Sequence, residues 1–281
     1  MIRRQVAEEF WLIAQIDHAH LAGKLARHFG NTLFQVPQPF EQVVTAVAEH
    51  DAGWPLHDDS PTLNAKGLPL DVFETPWQIG LPVWSASADR AERNGPMTGL
   101  LVSLHSLALS VFAASSNVSM QHEQFDLSQQ QAQFEFNKFQ HREIERQERL
   151  RQKLGMRLDR PLKYGLADEG ADEAEDRLRF NFRLLQAMDL CSLAICCTKP
   201  PADHTFDVHQ KIGAPAIHME LRREGNDLLV EPWPFDVESI TVQFPYRAIA
   251  ARQYEVGEFR RELARAEVRG LAVQVRPEPD H

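Results

Sequence analysis

Five residues of this sequence combine the types and spacing that metal chemistry needs. His50 and Asp51 are adjacent, at the end of an apolar, helix-like segment that runs from Ala46 to Trp54 as Ala-Val-Ala-Glu-His-Asp-Ala-Gly-Trp. His18, His105 and Asp189 each fall on a stripe that is otherwise apolar. Neutral imidazoles and carboxylates together suit Fe, Mn or Zn. A divalent ion makes bound water a nucleophile near neutral pH and polarises a phosphoryl or carbonyl oxygen. Four helices, each bringing one or two ligands to its inner face, would build one or two such ions into a helical core.

The elements that must position these residues follow from apolar spacing. Two short strands are expected at Ile2–Val6 and Phe10–Ala14. Asp17 then caps a helix from His18 to Phe29. Its stripe of His18, Leu21, Ala22, Leu25 and Phe29 turns His18 inward and leaves His20 with Lys24 and Arg27 on the wet face. A second helix, Phe40 to Ala52, aligns Phe40, Val43, Val44, Val47 and Asp51, with His50 at the edge of that face and Gly53 as the stop. Residues 54–82 read as a long Pro- and Gly-rich loop, the kind that often walls a pocket. Trp54, Asn64 and Lys66 are its candidate pocket residues, while Asp58 and Asp59 read as solvated acids.

A short helix at Ala86–Arg93 precedes a longer one from Met97 to Ala114, whose stripe Leu101, Leu104, His105, Ala108, Val111 and Phe112 centres on His105. Residues 115–126 are polar and irregular, and a charged, exposed helix runs from Leu127 to Leu154. After a linker at 155–174, Glu175 to Cys197 form a helix apolar on two faces, hence central. An Asp at position 189 of such a helix costs several kcal/mol unless it is paired or bound to a cation. Beyond Pro200-Pro201, strands are expected at Ile217–Leu221, Leu228–Val230, Ser239–Phe244 and Leu271–Val275, with a helix at Glu258–Ala266.

The formal net charge of -10 over 281 residues argues against nucleic acid or an anionic membrane as partner. Cys191, Cys196 and Cys197 share one apolar segment without Cys-x-x-Cys spacing, which reads as core thiols in a reducing compartment. The first residues lack the apolar centre of a signal peptide, and no run approaches the ~20 apolar residues of a membrane span. A cytoplasmic protein with a small-molecule substrate is the expectation.

The order His18, His50-Asp51, Asp189 on successive helices resembles the HD-domain superfamily of metal-dependent phosphohydrolases. That resemblance implies that His18 is the first histidine ligand, His50 and Asp51 the signature pair, and Asp189, in Ala-Met-Asp-Leu-Cys-Ser-Leu-Ala, the last ligand. His105 resembles the additional histidine of two-metal members. Many HD hydrolases follow the pair with Gly-Lys, where this chain has Gly53-Trp54, leaving Lys66 or Lys163 as the substitutes for meeting a phosphate. The further histidines of some two-metal members have only His122 and His141 as counterparts. The superfamily also resembles di-iron oxygenases with the same ligands. In Gln15-Ile16-Asp17-His18-Ala19, His50 to Trp54 and Leu101 to His105, the chain also resembles an uncharacterised bacterial family, over most of its length and with no activity attached.

The expected fold is therefore mainly α: an HD-like helical bundle over residues 1–200 and a small α+β subdomain over 201–281 packed on it. The expected function is metal-dependent hydrolysis, with phosphoesters as the substrate class, at His18, His50, Asp51, Asp189 and His105. The alternatives are a non-haem iron oxygenase with the same ligands and a non-catalytic binding protein.

Overall fold

A computed structural model describes residues 1–115, 127–159, 171–198 and 205–279. The chain opens with a hairpin of β1 (Ile2–Val6) and β2 (Glu9–Ile13). Six helices and a long loop follow: α1 (Gln15–Arg27), α2 (Phe40–Glu49), the single turn α3 (Pro55–Asp58), α4 (Trp77–Ala91), α5 (Pro96–Ala114) and α6 (Gln130–Lys153). Then come α7 (Glu173–Cys196), β3 (Thr205–His209), β4 (Ala216–Glu224), β5 (Asp227–Glu231), β6 (Ile240–Ala250), α8 (Val256–Arg265) and β7 (Val268–Pro277).

The strands make one seven-stranded sheet in the order β1-β2-β6-β7-β5-β4-β3. Every pair is antiparallel except β5 with β7. This corrects the expectation of a mainly α fold with a small sheet: helix takes 50% of the described residues and strand 21%. The reason lies in long-range pairing. The N-terminal hairpin adds two strands by placing Glu9–Leu12 against Arg247–Ala250. β3 adds an edge that short-range pattern did not reveal, and β6 and β7 each extend well beyond their apolar centres.

Side chains alternate across a strand, and β6 shows it: Ile240, Val242, Phe244 and Tyr246 are buried while the residues between them are mostly exposed. That face shares one core with α1, α2, α5 and α7. On β2 the alternation splits the two faces, Ile13 joining that core and Phe10 and Leu12 joining a second one under Phe259 of α8. α7 is the central helix, as its two apolar faces require. It packs on α1, α2 and α5 on one side and on β3, β4 and β5 on the other.

α4 begins nine residues earlier than its pattern suggests, because Pro82 lies inside it. A proline so near the N-terminus removes a single i→i−4 bond, which the burial of Leu81, Val83 and Trp84 offsets. α5 is long and apolar enough to cross a membrane by length and composition, but most of it is buried inside the fold. The three cysteines are buried and free, and burial pushes the thiols of Cys191 and Cys196 well above their ordinary range.

Candidate metal centre

The fold brings His18, His50, Asp51, His105 and Asp189 to one point between α1, α2, α5 and α7. All five are at least nine-tenths buried. His18 comes from the first turns of α1, one turn after Gln15. His50 is the residue that ends α2, and Asp51 begins the turn beyond it. Three contacts hold that turn. The Gly53 N–H donates to Ser87 Oγ of α4 at 2.9 Å. The Arg90 guanidinium donates to the Ala52 carbonyl. The Trp54 indole N–H donates to Asp51 Oδ1 at 3.1 Å. Trp54 thus orients one carboxylate oxygen and leaves Oδ2 for the cluster.

Hydrogen bonds on the far side of each ring fix the histidines. His50 Nδ1 lies 2.7 Å from the Val47 carbonyl, which can only accept, so Nδ1 carries the proton. Ser192 Oγ lies 2.6 Å from His18 Nδ1 and gives its own proton to the Asp189 carbonyl at 2.8 Å. The hydroxyl has one proton to give, so His18 Nδ1–H is the donor. In their neutral forms both rings therefore aim a bare Nε2 lone pair inward.

These lone pairs point at each other and at carboxylates. His18 Nε2 is 3.2 Å from His50 Nε2, 3.2 Å from Asp51 Oδ2 and 3.5 Å from Asp189 Oδ1. His50 Nε2 is 3.6 Å from Asp51 Oδ2 and 3.4 Å from Asp189 Oδ1. Four acceptors facing one another in a buried site are mutually repulsive unless a proton or a metal cation lies among them. The spacing also has a shape. Ligands tetrahedral about an ion at Zn–N or Zn–O length are about 3.3 Å apart, whereas neighbours in an octahedron are about 3.0 Å apart. The five distances scatter around the tetrahedral value.

The electrostatics carry the same demand for positive charge. Burial alone would lower the His50 imidazole, but Asp51 and Asp189 raise it to about 9. Burial would raise the Asp189 carboxyl, yet His50 above all, with His105 and His18, holds it well below the usual carboxylate range. His105 is different. Burial takes it down to about 4, so it is neutral, and neither ring nitrogen has a hydrogen-bond partner among the described residues. Its Nε2 stands 3.5 Å from Asp189 Oδ2, whereas Oδ1 is the oxygen nearest His18 and His50. Two overlapping groups that could hold a metal ion result, His18–His50–Asp51 and His50–His105–Asp189.

A cavity of about 80 Å³ opens onto the cluster. His18, Asp51, His105 and Asp189 form its polar end, with Gln15 and Trp54 beside them. Its walls are apolar: Val72 and Phe73 from the long loop, Trp84 from α4, Leu109 and Phe112 from α5, Leu193 from α7. A larger groove of about 510 Å³ between α4 and α6 contains none of the five clustered residues.

Asn64 and Lys66 are not in the cavity. Asn64 Oδ1 accepts from the backbone N–H groups of Lys66 and Leu68, and its amide donates to Glu74, so it organises the loop. Lys66 is exposed. His141 is exposed and paired with Glu145 on α6, away from the cluster. His122 and Lys163 lie outside the described residues. Sequence spacing missed Gln15 and Ser192. Ser192 left a trace, a hydroxyl one turn after Asp189 on an apolar helix. Gln15 left none, being a polar residue at a helix start.

The family described as "Protein of unknown function (DUF3891)" matches residues 1–251. The chain belongs to the DUF3891 family. Neither curated proteins nor solved structures gave a match. The family assignment and the seven-stranded sheet together correct the resemblance to the HD-domain superfamily, whose implied fold is a helical bundle. In this DUF3891 chain all five clustered residues fall inside the matched region, as do β1 to β6.

Proposed function

We propose that this protein is a metal-dependent hydrolase of a small molecule, with His18, His50, Asp51 and Asp189 as ligands and His105 beside them. The observation that carries the reading is the convergence of two bare imidazole nitrogens and two carboxylate oxygens at tetrahedral spacing in a buried site. A divalent ion in such a set supplies Lewis acidity and an activated water near neutral pH. The chain's own groups do the rest. Val47 and Ser192 fix the ring tautomers, Trp54 aims Asp51, and the apolar walls keep bulk water from the reacting atoms. Phosphoester substrates have little support here. No Lys or Arg lines the cavity among the described residues, and Lys66 does not reach it.

A second reading, a non-haem iron oxygenase using the same ligands, draws support from the small apolar cavity. One experiment separates the two. Protein purified without an affinity tag is analysed for metals by mass spectrometry beside Asp189→Ala. Near-stoichiometric Zn or Mn that vanishes in the variant, with hydrolysis of chromogenic amides or esters, is the expected result. Iron with substrate-dependent O₂ uptake would favour the oxygenase. Wild-type protein that neither contains nor takes up metal would sink both and leave a buried hydrogen-bond network.

A further inference from the structure

The cavity has a charge balance and, beside the clustered residues, an unsatisfied amide oxygen that together restrict what it can hold. A divalent ion between Asp51 and Asp189 makes the site neutral, because the histidines bring no charge. The described residues lining the cavity include no Lys, Arg or Glu that could meet a charged substrate. An anion placed there would lose its hydration for an ion whose charge two carboxylates already balance, with no Lys or Arg in the described lining to add to it, which is costly in a space this small and apolar. A neutral molecule avoids that penalty.

Gln15 gives the second restriction. It is 2% exposed and lines the cavity, one turn before His18 on α1. Its Oε1 is buried and accepts no hydrogen bond among the described residues. Buried acceptors are normally satisfied, and the side chain that carries this one lines the cavity. The complement of a buried acceptor is an N–H or O–H on an otherwise uncharged molecule.

Resting on the reading of the cluster as a metal centre, we propose that the cavity takes a small, uncharged carboxamide. Its carbonyl oxygen turns toward the ion and its N–H donates to Gln15 Oε1, while the carbon substituent lies against Trp84, Leu109, Phe112 and Leu193. Hydrolysis then forms a bond from the water oxygen to the carbonyl carbon and breaks the C–N bond. One water proton leaves on the nitrogen, and the other is released from the carboxylic acid.

Cobalt is the probe that tests this without requiring turnover, because its visible bands report changes around the ion. Full-length protein is loaded with Co²⁺, its cobalt content measured, and then titrated with propionamide and separately with inorganic phosphate. Propionamide should perturb the bands saturably and phosphate should leave them unchanged. Gln15→Leu should keep its cobalt and bind propionamide about tenfold or more weakly, the effect of losing one buried hydrogen bond. Phosphate binding tighter than propionamide, or unaltered propionamide affinity in Gln15→Leu, would overturn the carboxamide proposal and leave the metal centre standing. Wild-type protein that takes up no cobalt would overturn the metal reading and this proposal with it.

Discussion

Ser192 touches no substrate space, yet it decides which nitrogen of His18 faces the cluster. Its hydroxyl proton is committed to the Asp189 carbonyl, so it can only accept from Nδ1. In Ser192→Ala nothing holds that tautomer. Outer contacts of this kind are worth roughly 10–100-fold in metal affinity. Chelator competition should show a loss of that size with the thermal unfolding curve little changed, since the replacement is nearly isosteric. A variant with wild-type affinity would mean that packing alone orients the ring. His50 makes a separate prediction for chelator-treated protein. Its imidazole is raised from 6.5 to about 9, so its stabilising contribution is full below pH 6.5 and disappears as pH rises through 9. The urea midpoint should fall across that window, with a slope on the order of 1 kcal/mol per pH unit that is absent in His50→Gln. Metal-loaded protein should lack that decline, because ligand nitrogens compete better against protons as pH rises. At this scale the clustered residues were legible in sequence, since a His or Asp in the middle of an apolar stripe is too costly to bury without a partner. Gln15 was not, because a polar residue at a helix start is ordinary until a cavity is seen beside it.

The turn after α2 does more than end a helix. Spacing marks Gly53 as a stop, but its role in the fold is to let α2 and α4 approach. A Cβ at residue 53 would stand 2.0 Å from the Val83 carbonyl oxygen and 2.6 Å from Ser87 N, both backbone atoms that cannot move aside cheaply. Gly53→Ala should therefore cost about 3 kcal/mol or more in urea unfolding. It should also weaken metal binding, because Asp51 is two residues away. Gly257→Ala on α8, where only the flexible end of Arg261 is near, should leave stability within about 0.5 kcal/mol. Equal effects of the two substitutions would refute the steric account. Element positions were mostly legible, α1, α5, α6 and α7 beginning within about three residues of their apolar patterns. α4 was the exception: Pro82 made its first turns read as loop, and only the burial of Trp84 and its neighbours against α5 outweighs that local signal.

At the scale of the whole molecule, sheet and helices complete one another. A strand's pairing partner lies far away in sequence and leaves no local mark, which is why the sheet's extent was not legible while most of its strands were. β2 finds β6 across more than two hundred residues, and the apolar side chains of α7 share a core with Met219, Leu228 and Val242. All five clustered residues nevertheless lie before residue 199. A chain ended at residue 198 thus keeps every clustered residue, but strips β2 of its neighbour β6 and bares the sheet-facing side of α7. Both losses expose apolar surface and unpaired backbone, which favour aggregation over folding. The truncated chain should fail to give a soluble, cooperatively unfolding product and should hold no metal. The full chain should unfold in one transition by both circular dichroism and tryptophan fluorescence. A soluble fragment that binds metal stoichiometrically would show instead that the helices form the centre without the sheet. The C-terminal strands would then serve some purpose besides positioning α7.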